Sequence, residues 1–237
     1  MRSRSMSMLA LIACVPLVLG ACSGSSMPST GSGTSSATPA ASPTPIETGT
    51  VGLHHVIGGG QYPGYELEVP TGWSAGDEFT IHPDPEVMGV SVWDVGEVPR
   101  DPCRWKGSMS DPGPTVDDLV AALVAQRYRH TSAPAPVTLG GAEGVHLRWT
   151  VPADWTVTGD ADFEGCDDPG NGHQDFVSWL GDGRGERYQQ VPGQVDILWV
   201  LEVDGQRLVV DATYSPDSTD AEVAELLTVV ESLRFHS

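Results

Sequence analysis

The residue types able to do chemistry are scattered along this 237-residue chain, and few stand in a recognised spacing. His146 and Arg148 are the most suggestive pair. They alternate with Val145, Leu147, Trp149 and Val151 on a strand, so both point away from the apolar face. Side by side in a chain short of cations, they suit an anionic ligand or pair with neighbouring carboxylates in water. A hydrolytic site could also assemble from distant residues such as His146, Asp211 and Ser178, because triads are defined by geometry and not by spacing. The sequence itself holds no nucleophile elbow at a strand-to-helix turn, no phosphate loop and no His-Glu-x-x-His zinc motif. Residues 160–165 (Asp-Ala-Asp-Phe-Glu-Gly) echo the first half of a calcium loop, but the twelfth position is Asn171 and not a bidentate Glu. A solvated acidic loop over Asp160–Asp168 is the better reading. His54 and His55 are adjacent and point to opposite faces of a strand, so they chelate poorly, with or without His82. No metal, cofactor or catalytic residue is therefore assigned.

One cysteine carries a sharper signal. Arg2 and Arg4 are followed by an apolar stretch from Met8 to Leu19, then by Gly20, Ala21 and Cys22. The run is too short to span a bilayer, which takes about 20 apolar residues, and Pro16 interrupts it. Leu19-Gly20-Ala21-Cys22 resembles the lipobox of bacterial lipoproteins at all four positions. That resemblance implies cleavage after residue 21 and a lipid-modified Cys22, hence an outward-facing protein anchored in the cell membrane by its acyl chains. Cys14 leaves with the signal, and Cys103 and Cys166 remain as two thiols in an oxidising compartment. A disulfide between them is expected; a metal-binding or nucleophilic pair is the alternative, and neither cysteine has a neighbouring His in sequence to support it. The disulfide closes a loop of roughly 60 residues, worth about 4 kcal/mol on the chain-entropy account.

Residues 23–49 are almost wholly Ser, Thr, Gly, Ala and Pro, with no aromatic residue and no charge before Glu47. Such a segment buries too little to offset its ordering entropy and reads as a disordered tether of about 30 Å reach. The organisation is thus a signal peptide (1–21), a lipidated Cys22 with its tether (22–49) and one globular domain (50–237). A domain of this length buries about 70% of its unfolded surface and needs no metal to fold. The formal charge is −20. Nucleic acid and anionic lipid both require clustered Lys and Arg, so an acidic surface argues against either as partner.

Within the domain, 195–203 and 206–214 alternate around Asp204-Gly205, the strongest short-range hairpin signal. The turn sets Val203 opposite Gln206, Leu201 opposite Leu208, Trp199 opposite Val210 and Ile197 opposite Ala212. On the other face Glu202 meets Arg207, Val200 meets Val209 and Leu198 meets Asp211. Apolar pairs on both faces predict a sheet covered on both sides. Two helices can cover it. Thr219 and Glu222 form a capping box ahead of Val223, Leu226, Leu227, Val230 and Leu233. Thr115 and Asp118 do the same ahead of Val116, Leu119, Val120, Leu123 and Val124. Further strands are expected over 64–69, 78–82, 87–95, 137–139, 145–151, 174–180 and 186–191. Trp93, Trp149, Trp179 and Trp199 then fall on four strands as core residues. The fold class is α+β, an antiparallel sheet with helices packed on it.

The opening Tyr65-Glu66-Leu67-Glu68-Val69-Pro70-Thr71-Gly72-Trp73 resembles the start of PsbP-like domains. The closing 208–214 strand, helix and Glu231-Ser232-Leu233-Arg234-Phe235 resemble their end. The lipobox, tether and domain together are similar to LpqN-type mycobacterial lipoproteins, and 185–214 is similar to a group of actinobacterial exported proteins. The resemblance implies a PsbP-like α/β/α sandwich whose members mostly bind or assist other proteins, and it carries over no catalytic motif. The reading is a non-catalytic binding or accessory domain that contacts another envelope protein or a cell-wall component. The alternatives are the distant-residue hydrolase and a carrier holding an apolar ligand between sheet and helix.

Overall fold

The computed structural model describes residues 49–53, 56–57, 60–61, 63–75, 79–82, 87–159, 162–183 and 185–236, all within a compact unit spanning Pro43–Ser237. The signal, Cys22, most of the tether and the His54-His55 pair lie outside the described residues. Among the described residues, no helix is long and apolar enough to cross a membrane.

The predicted hairpin is the spine of the fold. Val195–Val203 and Gln206–Tyr214 pair in the register that the Asp204-Gly205 turn dictates, from Val203↔Gln206 to Val195↔Tyr214. Both turn residues have positive φ, 50° and 76°, as a two-residue turn matching the strand twist requires. Ala142–Thr150 adds to one side of the hairpin and Met88–Trp93 to the other. His130–Thr131, Ala135–Leu139, Phe79–Ile81 and Ser74–Ala75 complete an eight-stranded antiparallel sheet.

This sheet has two buried faces, as the paired apolar registers predict. Val195, Ile197, Trp199, Leu201 and Val203 share one face with Leu208, Val210 and Ala212. Helix α2 (Asp220–Glu231) and the Gly64–Val69 strand pack there through Leu226, Val229, Val230, Tyr65, Leu67 and Val69. The opposite face presents Leu147, Trp149, Leu198, Val200 and Val209 to helix α1 (Val116–Val124) and to Val95, Val98 and Trp179 of a second, four-stranded sheet. The result is a mixed α+β fold with antiparallel sheets and helices packed on them. Both helices open with the capping boxes predicted for Thr115/Asp118 and Thr219/Glu222.

Three details depart from the sequence reading. The segment 87–95 is two strands, not one: at Asp94 the chain leaves the central sheet (Met88–Trp93) and enters the covering one (Val95–Pro99). Val124 is 42% exposed. It lies about 90° around the helix from the stripe of Val116, Leu119, Val120 and Leu123, and α1 ends beside it. Val229, which the predicted spacing left out, is buried, because the inward stripe of α2 centres on Leu226, Val229 and Val230.

A third, smaller core lies at one end of the α1 face. Cys103 and Cys166 form the expected disulfide, with Cα atoms 4.4 Å apart. Around it pack Val151, Phe163 and Phe176, with Trp155 and Val157 half-buried at the margin. The aromatic rings contact one another: Phe163–Phe176 at 5.4 Å, Trp155–Phe176 at 5.2 Å and Trp155–Phe163 at 6.5 Å between centroids.

Candidate functional site

The cross-strand registers decide which candidate residues can meet. His146 pairs with Trp199, which pairs with Val210; Leu147 pairs with Leu198, which pairs with Asp211. Directly opposed residues share a face and sequence neighbours do not. His146 therefore projects toward the α2 side and Asp211 toward the α1 side. The proposed assembly of His146, Asp211 and Ser178 is excluded by this geometry. His146 rests half-buried on Trp199 at 5.4 Å between rings, and burial pulls its imidazole down from the usual range. Arg148 extends along the same face to the Tyr214 hydroxyl at 3.4 Å.

The other members of that assembly belong to a buried ionic cluster that sequence reasoning did not foresee. Asp196 and Asp211 sit on the hairpin's α1 face among Leu198, Val200 and Val209, and neither is exposed. A carboxylate in such surroundings needs a cation and hydrogen bonds. Arg187, from the covering sheet, supplies both: Nε donates to Asp211 Oδ2 at 2.7 Å and Nη2 to Asp196 Oδ1 at 3.0 Å. Nη1 donates to the Tyr188 carbonyl. Asp196 also accepts from Trp149 Nε1 at 2.6 Å and Gln194 Nε2 at 3.0 Å. Burial pushes the Asp211 carboxyl up to about 7 despite the pull of Arg187.

Arg129 is the second buried cation. Its side chain is wholly enclosed, with Nη1 3.9 Å from Asp196 Oδ2 and Nη2 donating to Ser178 Oγ at 2.8 Å. Ser178 Oγ also accepts from Gln189 Nε2 at 2.7 Å. The guanidinium lies over Trp149 at 4.2 Å and Phe176 at 4.8 Å. Burial lowers its pKa to about 9, so it stays charged at neutral pH. Ser178 and the two aspartates are thus held inside the protein by cations that belong to the chain.

How Arg129 enters the core shapes the surface above it. After α1, Gln126 turns in and donates to the Ser178 carbonyl at 2.5 Å, and Arg127 turns out to Asp101 at 3.5 Å. Tyr128 then adopts φ +60°, a conformation that non-glycine residues avoid. This reversal drives Arg129 inward and leaves Tyr128 standing 47% exposed. Its ring meets Trp155 at 5.2 Å and 77°, edge to face. The two rings form a corner of an open pocket of about 390 Å³, completed by Pro152, Asp154, Thr156 and Glu164. Each wall is fixed from behind, Tyr128 by the Arg129 anchor and Trp155 by Phe163, Phe176 and the disulfide lobe.

The acidic loop does not gather as a metal site. Asp162 Oδ1 accepts from the Gln174 N–H, Asp168 Oδ1 from the N–H groups of Gly170 and Gly172, and Asp167 Oδ2 from the Lys106 N–H. Those amides hold the Asp168 carboxyl below the usual carboxylate range. Among the described residues no group of three His, Cys, Asp or Glu side chains is placed to hold a metal ion. Asp160 lies outside the described residues. His82 packs edge-on against Trp73 at 5.1 Å.

No protein-family model matches this chain. No curated protein matches it. Among solved structures, the solution structure of cyanobacterial PsbP from Synechocystis is similar at 14% identity, covering 73% of this chain and 86% of that one, with a TM-score of 0.33.

Proposed function

We propose that this protein is a lipid-anchored, non-catalytic recognition domain of the bacterial envelope. Cys22 carries the anchor, residues 23–49 are the tether, and the Tyr128–Trp155 corner is the recognition surface for an envelope protein or cell-wall component. The observation that carries this reading is the left-handed Tyr128. A strained residue persists only where the surrounding structure fixes it, and such strain concentrates at functional sites. Here it holds an aromatic ring out of the core, against a second ring, at the mouth of a pocket. The enclosure of Ser178, Asp196 and Asp211 supports a non-catalytic role, since a substrate cannot reach them without opening the core. The space between sheet and α2, where an apolar cargo would sit, is filled by Tyr65, Leu67, Trp199, Leu226 and Val230.

Two experiments test the two halves of this reading. Cells fed a fatty-acid analogue should label the wild type and not Cys22→Ala, and an unlabelled wild type removes the anchor. A photo-crosslinking residue at Thr156 should trap an envelope component in cells, and Trp155→Ala should abolish the adduct. An adduct that persists unchanged in Trp155→Ala removes the pocket as recognition surface.

A further inference from the structure

We infer that the Tyr128–Trp155 pocket takes a quaternary ammonium group, a ligand class that rests on the recognition reading above and sharpens it. Three observations converge. The first is shape: two aromatic rings at 77° offer a cation a π face and an adjoining wall, half of an aromatic cage. The second is charge. The six lining residues include the carboxylates of Asp154 and Glu164 and no cationic side chain. Arg127, next in sequence to Tyr128, is committed to Asp101 at 3.5 Å. A bound cation therefore meets two negative charges, and no cationic side chain lines the pocket, within a chain whose formal charge is −20.

The third observation is internal precedent. The same aromatic cluster already stacks on a cation from its inner side: Phe176, which Trp155 meets at 5.2 Å, lies 4.8 Å from the Arg129 guanidinium. The outer side of the cluster faces solvent through Tyr128 and Trp155. A methylated ammonium suits it better than a primary amine, because its weakly hydrated surface loses little water on meeting the rings. A cavity of about 390 Å³ is also within the range of small-ligand sites, about 300–1,000 Å³.

The test uses the full chain in a maltoside detergent, which carries no ammonium headgroup, and follows the Trp155 indole N–H signal by NMR, assigned through Trp155→Phe. Tetramethylammonium chloride should shift that signal saturably in the millimolar range. The uncharged choline isostere 3,3-dimethylbutanol should bind about tenfold more weakly, and ammonium chloride should leave the signal in place. Asp154→Asn with Glu164→Gln should weaken tetramethylammonium about tenfold. Both residues are exposed, so this variant should fold as the wild type does. Equal binding of the isostere, an equal response to ammonium chloride, or no response to tetramethylammonium each overturns the ligand class. If N-acetylglucosamine saturates the pocket while tetramethylammonium does not, the ligand class falls and the recognition reading stands. If nothing binds and the Thr156 adduct also survives Trp155→Ala, both fall.

Discussion

Arg187 Nε donates to Asp211 Oδ2 across 2.7 Å, and this contact joins the covering sheet to the central hairpin. The same guanidinium reaches Asp196 and the Tyr188 carbonyl, so one side chain bridges two enclosed carboxylates. Replacing such a network by apolar groups can be harmless, but removing one partner leaves a charge with no compensation. Arg187→Met should therefore destabilise the domain by about 3–5 kcal/mol. Arg187→Lys should recover less than half of that, because one ammonium cannot make the fork of contacts that the guanidinium makes. Urea midpoints of the three proteins measure this, and a midpoint for Arg187→Met near that of the wild type contradicts it.

The same cluster gives a pH dependence with a definite sign. Asp211 has a carboxyl raised from 3.8 to about 7 by burial, and its Oδ1 has no hydrogen-bond partner among the described residues. The folded protein then holds a proton that the unfolded chain releases. Its contribution to stability is fully present below about pH 4 and is lost as pH rises toward 7. Other carboxylates also titrate in this range, so the measurement is a difference. The stability of the wild type minus that of Asp211→Asn should be larger at pH 4.5 than at pH 7.5. If Arg187 instead keeps Asp211 ionised throughout, the difference is nearly the same at the two pH values.

The Cys103–Cys166 bridge spans 63 residues of sequence, a loop long enough for about 4 kcal/mol of stabilisation on the chain-entropy account. It also backs the small aromatic core on which Trp155 rests. Cys103→Ser with Cys166→Ser should lower the urea midpoint accordingly. It should also raise amide hydrogen exchange first in 155–176, before the central hairpin. Uniform loss of protection across both regions would mean that the lobe does not open separately.

The parts of the fold legible in sequence are those fixed by local rules. Asp204-Gly205 sets a register that every residue of the hairpin must follow, and two Thr-x-x-acid boxes set the helix starts. The sheet change at Asp94 was not legible, because 87–95 alternates without a Gly or Pro at the break. The buried cluster was half legible. Asp196 and Asp211 stand beside Leu198, Val200 and Val209 on one face, and a carboxylate there demands a cation. Nothing local names Arg187 or Arg129 as that cation, since both arrive from other elements. The pocket was illegible for a similar reason: Tyr128 and Trp155 are 27 positions apart, and only a left-handed Tyr brings them together.

Glu143 and Glu202 face each other directly across neighbouring strands, and both are exposed. Like charges in that relation repel. Asp117 and Asp204 line the same open groove of about 660 Å³, which adds to the repulsion. Glu143→Lys converts the opposition into an attractive pair and should raise stability by about 0.2–1 kcal/mol. The gain should shrink in 0.5 M salt, since exposed charges are screened. Thermal unfolding at two salt concentrations checks both statements.

Tyr128 separates recognition from stability. Its φ of +60° costs a non-glycine residue about 1–2 kcal/mol, while its edge-to-face contact with Trp155 returns about 0.5–1.5 kcal/mol. Glycine adopts the same backbone without strain, so Arg129 can still enter the core behind it. Tyr128→Gly should therefore unfold within about 1 kcal/mol of the wild type, yet lose the tetramethylammonium-induced shift of the Trp155 signal and the Thr156 crosslink together. Tyr128→Phe keeps the ring and should retain both. A Tyr128→Gly protein that binds like the wild type would show the left-handed Tyr to be a consequence of anchoring Arg129 alone. Loss of folding in Tyr128→Gly would show that the ring itself holds the lobe. The variant distinguishes these because the backbone turn and the aromatic wall are separable at this one position: glycine supplies the first and not the second.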